Sequence, residues 1–167
     1  MLRTVQPVIY FAAVMYNPNL SGDGLELITE HFGDIIKRSD EFDFEHTTYY
    51  EPEMGERLRK YFVAFKGETD PAALPRCKLR AIEIENRLAQ NGKRVINIDP
   101  GYLAMEKIVV ASTKNFTHRI YINSGIYGDL QLMRQKGEYT PMPWTYADYA
   151  LPNVLAFFKE LSKLCVQ

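Results

Sequence analysis

Cysteine is nearly absent from this chain. Cys77 and Cys165 are its 2 thiols, with no CxxC pair and no Cys/His cluster. That scarcity counts against a disulfide framework and against a structural zinc site. It leaves two free thiols buried in a reducing compartment. An excess of one charge is missing as well. With 20 Lys+Arg against 21 Asp+Glu the formal net charge is −1. No polycation is present to wrap nucleic acid non-specifically, although a local basic patch stays open. The apolar run Val8 to Met15 is too short to span a bilayer. Arg3 is the one basic residue before it, no small-residue cleavage site follows, and Tyr16-Asn17-Pro18-Asn19 ends it in a turn. It makes a poor signal peptide and reads as the buried strand of a cytoplasmic protein with no membrane partner.

Nucleotide motifs are lacking too. Gly22-Asp23-Gly24 precedes a helical pattern, but it has neither the third glycine of a dinucleotide fingerprint nor the Gly-Lys-Ser/Thr of a Walker loop. Ordinary capping is the reading there. No serine or cysteine stands in a nucleophile motif, and nothing signals flavin, nicotinamide or haem. The sequence names no cofactor and no metal.

What is present fits one domain over residues 1–167. The 46% apolar and 25% charged fractions are ordinary for a globular chain, and a chain of this length buries enough surface to fold without staples. Aromatics are more distinctive: 11 Tyr and 9 Phe against 1 Trp point to a sheet with one decorated face. Val8 to Met15 shows no polar alternation, as a strand covered on both faces should. Leu25, Ile28 and Phe32 recur at helical spacing until Gly33. Phe42 to Tyr50 alternates like a half-exposed strand, and Tyr61 to Phe65 reads as another. Asp70-Pro71 caps a long helix whose stripe is Leu74, Cys77, Ala81, Ile84 and Leu88. Strands follow at Arg94 to Ile98 and Ile108 to Ser112, separated by a turn at Asp99-Pro100-Gly101. A hairpin covers His118 to Met133, and Leu151 to Cys165 forms the last helix. The order predicts an α+β fold: a two-layer sandwich of a mainly antiparallel sheet with about three helices.

The hairpin's register follows from its pattern. A three-residue loop Asn123-Ser124-Gly125 pairs Ile122 with Ile126, Ile120 with Gly128 and His118 with Leu130 on one face. The other face then pairs Tyr121 with Tyr127 and Arg119 with Asp129, beside Gln131. A slip of one residue would mix apolar with charged side chains. Two tyrosines flanking an Arg/Asp pair suit a planar ligand held by stacking and an anionic group held by arginine. They equally suit a solvated face. His118, near Lys114 and Arg119, is either a satisfied core histidine or an acid at a strand end. Asn97 and Asp99 share one strand face, where they serve the turn or bind a hydroxyl. Glu51 and Glu53, beside Tyr49 and Tyr50, are solvated acids or part of a site. In Trp144-Thr145-Tyr146-Ala147-Asp148-Tyr149 the aromatics cap the core or form an interface.

Several of these pieces coincide with motifs of one family. Thr47-x-Tyr49-Tyr50-x-x-Glu53-Met54-Gly55, Asn97-Ile98-Asp99-Pro100-Gly101-Tyr102 and Lys114-Asn115-Phe116-x-His118-Arg119-Ile120-Tyr121 carry the likeness. Gly125-Ile126-Tyr127 and Trp144-Thr145-Tyr146-x-Asp148-Tyr149 extend it over nearly the whole chain. The sequence thus resembles a family of uncharacterised bacterial and archaeal proteins, a domain of unknown function. Where that family carries an acid and then threonine after Gly125, Asp129 and Gln131 stand here. The resemblance implies no established activity. Some members are labelled GTP-binding, yet this chain has no Gly-x-x-x-x-Gly-Lys-Ser/Thr and no Asn-Lys-x-Asp. Any nucleotide would bind without a P-loop.

The leading expectation is a small anionic, nucleotide-like ligand bound where Glu53, Asn97, Asp99, Lys114, His118 and Arg119 converge. Arg119 and Lys114 would hold the anion, while His118, Asp99 or Glu53 would move protons in phosphoryl or acyl chemistry. Tyr121, Tyr127 and Asp129 complete the candidate set. One rival is an RNA-binding module using the Tyr121/Tyr127/Arg119 face, which the balanced charge counts against. A second is an adaptor whose aromatic Trp144–Tyr149 segment is an interface. The oligomeric state is left open.

Overall fold

The unbroken apolar run near the start of the chain becomes the central strand of the molecule. The computed structural model describes residues 1–165. Along the chain it places β1 (Ile9–Tyr16), α1 (Leu25–Phe32), β2 (Asp34–Arg38), β3 (Phe42–Asp43), α2 (Glu51–Met54) and β4 (Arg59–Lys66). After these come α3 (Leu74–Leu88), β5 (Ile96–Leu103), β6 (Lys107–Ser112), β7 (Arg119–Asn123), β8 (Ile126–Gln135), β9 (Glu138–Pro141) and α4 (Pro152–Ser162). Short 3-10 turns at Pro71–Ala73 and Ala147–Ala150 lead into α3 and α4.

The strands form one antiparallel sheet in the order β2-β4-β1-β5-β6-β8-β7, with β3 beside β4 and β9 beside β8. The α+β class and the antiparallel sheet are as the sequence predicts. Helix-on-sheet packing occurs on both faces. Phe11, Ala13, Phe62 and Ala64 meet Val154, Phe157, Phe158 and Leu161 of α4 on one side. Ala12, Val14 and Val63 meet Ile28 of α1 with Ala81 and Ile84 of α3 on the other. Successive residues of β1 therefore serve two cores, which is why its sequence carries no polar alternation. Tyr149 closes the α4 side, its ring 5.1 Å from that of Phe62 and nearly perpendicular to it.

At the start of α1, Gly24 is left-handed at φ 70° and the Asp23 carboxylate accepts the Leu25 N–H at 3.1 Å. The same carboxylate pairs with Arg38 at 3.1 Å. The negative charge favoured at a helix N-terminus is thus supplied from within the chain.

Three local expectations are corrected. The alternating stretch from Phe42 to Tyr50 pairs only as β3, after which Phe44 and Tyr50 pack on Met15, Met54 and Leu58. Alternation gives a strand its faces but does not supply a neighbour to pair with. The turn expected at Asp99-Pro100-Gly101 is instead the middle of β5, held along β1 by Ala13 opposite Asp99 and Phe11 opposite Gly101. Gly101 is there because of close approach: a Cβ would lie 2.6 Å from the Phe11 ring and 2.6 Å from the Val109 carbonyl oxygen. The hairpin loop is two residues, Ser124 and Gly125, both at positive φ (52° and 77°), so Asn123 rather than Ile122 opposes Ile126. An irregularity between Tyr121 and Asn123 absorbs the difference. Arg119 still faces Asp129, Ile120 faces Gly128 and Tyr121 faces Tyr127, as expected. β2 and β9 escaped the sequence reading.

Gly101→Ala should lower stability by about 1–3 kcal/mol, the usual cost of inserting a methyl where none fits. Urea denaturation measures it; an unchanged midpoint would remove the close-approach argument.

Candidate functional site

The sheet is not paired along its full length, and the opening is where polar residues collect. β5 and β6 pair only through Gly101–Val110, Tyr102–Val109 and Leu103–Ile108. Beyond Gly101 they part, so that Ile96–Pro100 pairs with β1 alone and Ala111–Ser112 with β8 alone. Proline has no N–H to give a ladder, and the β6 pairing stops beside Pro100. The fork leaves a cavity of about 690 Å³, walled by Asn97 and Asp99 of β5, Val110 to Ser112 of β6, Thr47, Tyr49 and Tyr50, and Tyr146 to Tyr149.

Five cationic side chains reach it: Lys60, Lys78, Arg94, Lys114 and Arg119. Lys78 comes from α3, on the far face of the sheet. Its ammonium donates to the Ile98 carbonyl at 3.1 Å and to Asp99 Oδ1 at 2.9 Å. Asp99 Oδ2 accepts from Asn97 Nδ2 at 2.8 Å, and Asn97 Oδ1 accepts from Arg94 Nη1 at 2.8 Å. Arg94 then grips both oxygens of Glu53, at 2.9 and 2.8 Å. A continuous chain of charge-assisted bonds therefore lines one wall. Lys60 pairs with the buried Asp148 on the opposite side.

Burial works to raise the Asp99 pKa, but Lys78 and Lys60 outweigh it and hold the carboxyl below its usual 3.8. Hydrogen bonding to Arg94 holds Glu53 below its usual 4.5. Burial pushes Glu85 up, against the nearby cations; it accepts the Ile98 N–H at 2.7 Å beneath the same wall. Burial also raises Tyr146 to about 12. Asp99 and Glu53 are thus acceptors that stay ionised.

At the rim, Lys114 donates to the Tyr49 hydroxyl at 2.9 Å, and this bond lowers the Tyr49 pKa. No carboxylate lies within 4 Å of the Lys114 ammonium among the described residues. Arg119 is more committed: it donates to Asp129 at 2.9 Å, to the Tyr146 hydroxyl at 2.8 Å and to the Lys114 carbonyl at 3.1 Å. The Tyr149 hydroxyl, fully buried beside the cavity, has no partner among the described residues.

Of the residues singled out from sequence, Asn97, Asp99, Lys114 and Arg119 share the cavity. Glu53 stands behind it, holding Arg94. Asp129 is fully buried and binds Arg119, His118 and Gln131. His118 does not line the cavity. It lies in the turn before β7, stacked on Trp144 at 5.1 Å with its Nε2 3.2 Å from Asp129, and not opposite Leu130 on the apolar face. Tyr121 and Tyr127 meet edge to face at 5.4 Å at the β7 end of the sheet and do not line the cavity. Lys60, Lys78, Arg94 and Asp148 were missed. Lys78 had a signal: with Glu85 it falls on the apolar stripe of α3, at i+4 and i+11 from Leu74. A charge on a buried stripe needs a partner.

Residues 6–164 match the model of a family described as a domain of unknown function (DUF4416). The chain belongs to that family. No curated protein and no solved structure matches it. No helix is long and apolar enough to cross a membrane, and no cluster of three or more metal-ligating side chains occurs, among the described residues. The motif segments that carry the likeness converge: those at 47–55, 97–102, 114–121 and 144–149 all supply walls or supports of the cavity.

Lys78→Met should cost about 1–3 kcal/mol, because it removes the ammonium bonded to the half-buried Asp99 and to the Ile98 carbonyl; the urea midpoint at neutral pH reads it directly. A pH series tests the Glu53 clamp. A carboxyl with a lowered folded pKa stabilises above its unfolded value and loses that contribution as pH falls through the folded one. Glu53→Gln should therefore be less stable than the parent at pH 7, and the gap should close as pH drops below about 4.5. A gap that is constant with pH would show the clamp contributes nothing through charge.

Proposed function

We propose that this protein binds a small anionic ligand bearing a ring or hydroxyl groups, such as a nucleotide or related phosphate ester, in the cavity between β5 and β6. The observation that carries the reading is the convergence of five cations on one 690 Å³ space, with Lys114 free of any carboxylate among the described residues. The volume suits a metabolite-sized molecule. Lys78, Lys60 and Arg94 are each neutralised by a protein acid, so they shape the wall; Lys114 is the charge available to a ligand, with Arg119 beside it. Tyr49 and Tyr50, whose rings meet at 5.1 Å, and Tyr146 offer faces and hydroxyls for the rest of the molecule. Asp99 and Asn97 suit a ligand hydroxyl. The glycines of 22–24 take no part, since they line a separate surface hollow.

An enzymatic version draws on the same residues, with the cations stabilising a transferred phosphoryl or acyl group. Asp99 is a poor base in that version, because a carboxyl held below its usual pKa is reluctant to take a proton. Binding therefore ranks ahead of catalysis. The RNA reading is weaker still: Tyr121 and Tyr127 pack edge to face on each other instead of lying open in one plane, and Arg119 is engaged with Asp129.

Calorimetric titration with nucleoside phosphates, sugar phosphates and inorganic phosphate tests the reading. At least one should bind saturably and raise the melting temperature by mass action. Lys114→Met should weaken that binding about tenfold or more, as loss of a charge-assisted contact does, while leaving the unliganded melting temperature in place. Salt should weaken it only shallowly, unlike RNA held by many phosphate contacts. Equal affinity in parent and Lys114→Met would sink the assignment.

A further inference from the structure

Among the described residues two buried side-chain polar atoms have no hydrogen-bond partner, Asp148 Oδ2 and the Tyr149 hydroxyl, and both belong to the cavity wall. Folded proteins leave few such atoms, and each asks for a reason. Asp148 Oδ2 has the Lys60 ammonium against it. The Tyr149 hydroxyl has no such companion. Its ring is rooted in the core on the α4 side, 5.1 Å from Phe62 and 6.0 Å from Phe158. The hydroxyl lies at the other end of that ring, where the charges of Asp148 and Asp99 act on it. Burial first, and then those charges, push its pKa well above the usual 10.0, so the group keeps its proton and stands as a donor without an acceptor. Asp99, which lines the same cavity, has capacity to spare. Its carboxylate offers about four acceptor sites, of which Lys78 and Asn97 occupy two, and its side chain is 29% exposed.

We propose that Tyr149 is a specificity-determining residue of this cavity: its hydroxyl donates to a hydroxyl oxygen of the ligand, and that ligand hydroxyl donates in turn to Asp99. The inference rests on the anionic-ligand reading above and deepens it, since it makes the ligand a hydroxylated phosphate ester such as a sugar or ribose phosphate. A hydroxyl is the group that fits, because it accepts one bond and gives another. An ammonium has no lone pair to accept from Tyr149, and a carbonyl has no proton to give Asp99. A phosphate at this end would face the acids Asp148 and Asp99, so the anionic group belongs at the rim with Lys114. Sites built to hydrogen-bond a hydroxyl discriminate sharply against analogues without one, because their own polar groups are then left buried and unpaired.

Calorimetric titration of the full chain with ribose phosphate, glucose phosphate and adenosine monophosphate, against phenyl phosphate and inorganic phosphate, tests it. At least one hydroxylated ester should bind tighter than phenyl phosphate. Tyr149→Phe keeps the ring and removes the hydroxyl, so it should weaken that ester by about tenfold while leaving phenyl phosphate where it was. The unliganded urea midpoint should stay or rise, because a buried hydroxyl without a partner is gone. If the variant does not fold, the parent decides: one deoxy counterpart of the bound ester should lose a similar factor. Equal weakening of hydroxylated and hydroxyl-free probes overturns the proposal. So does an ester affinity that Tyr149→Phe leaves unchanged, a set of deoxy counterparts that all bind as the ester does, or a parent with no preference over phenyl phosphate. Lys114→Met separates this inference from the reading beneath it. Weakening by Lys114→Met but not by Tyr149→Phe keeps the anion site and removes the hydroxyl subsite; a parent that binds none of the probes removes both.

Discussion

The site depends on one ion pair at the fork of the sheet, buried at its lysine end and half-buried at its aspartate. Lys78 is 6% exposed and Asp99 sits where β5 has lost its β6 neighbour. Burying the Lys78 charge alone would be costly, and attraction repays the cost only when the remaining donors and acceptors are satisfied. Here they are. Lys78 also takes the Ile98 carbonyl, Asp99 takes Asn97, Asn97 takes Arg94, and Arg94 takes Glu53. Without that chain, the parted strands would expose backbone and apolar side chains in the heart of the molecule. With it, α3 on one face is tied through the sheet opening to α2 beside the cavity mouth.

Much of the fold was legible because burial writes periodicity into sequence. β1 showed no alternation and lies between two helical layers; α3 showed a long stripe and is the longest of the described helices. The hairpin's decorated face came out in register although its loop did not, because the irregularity at Ile122 offsets the shorter turn. Asp-Pro-Gly misled because its local preference is a turn. Tertiary pairing with β1 overrode that preference, and the crowding of Phe11 against Gly101 explains the glycine without any turn. β2 and β9 were invisible for a different reason: short, exposed edge strands bury too little to leave a pattern.

The candidate site was half legible. Asn97, Asp99, Lys114 and Arg119 were recognisable as polar residues at strand ends, and they do meet. Lys78 was overlooked because it interrupts the apolar stripe of α3, and Lys60 because it stands just before the apolar run Tyr61 to Phe65; a pattern is read by what fits it. Buried charges make the better guide. Of the side chains flanking the fork, Lys60, Lys78, Glu85, Asp129 and Asp148 are all buried, and a fold tolerates so many only where their bonds close on one another.

Near-neutral composition says nothing about where charge is free. Around the fork the acids are matched to particular bases: Asp99 to Lys78, Asp148 to Lys60, Glu53 to Arg94, Asp129 to Arg119. Matching cancels most of the field that five cations would cast into the cavity, so a ligand meets a polar but largely compensated wall. Lys114 stands outside the scheme, bonded to a neutral tyrosine hydroxyl at the rim. A hydroxyl is a weaker partner for an ammonium than a carboxylate, so exchanging it for a ligand's anion gains energy, whereas drawing Lys78 or Arg94 away from its acid would lose it. In the ligand-binding reading proposed above, selectivity for negative charge would rest on the one cation whose partner is easily replaced, with the compensated residues holding the strands apart around it.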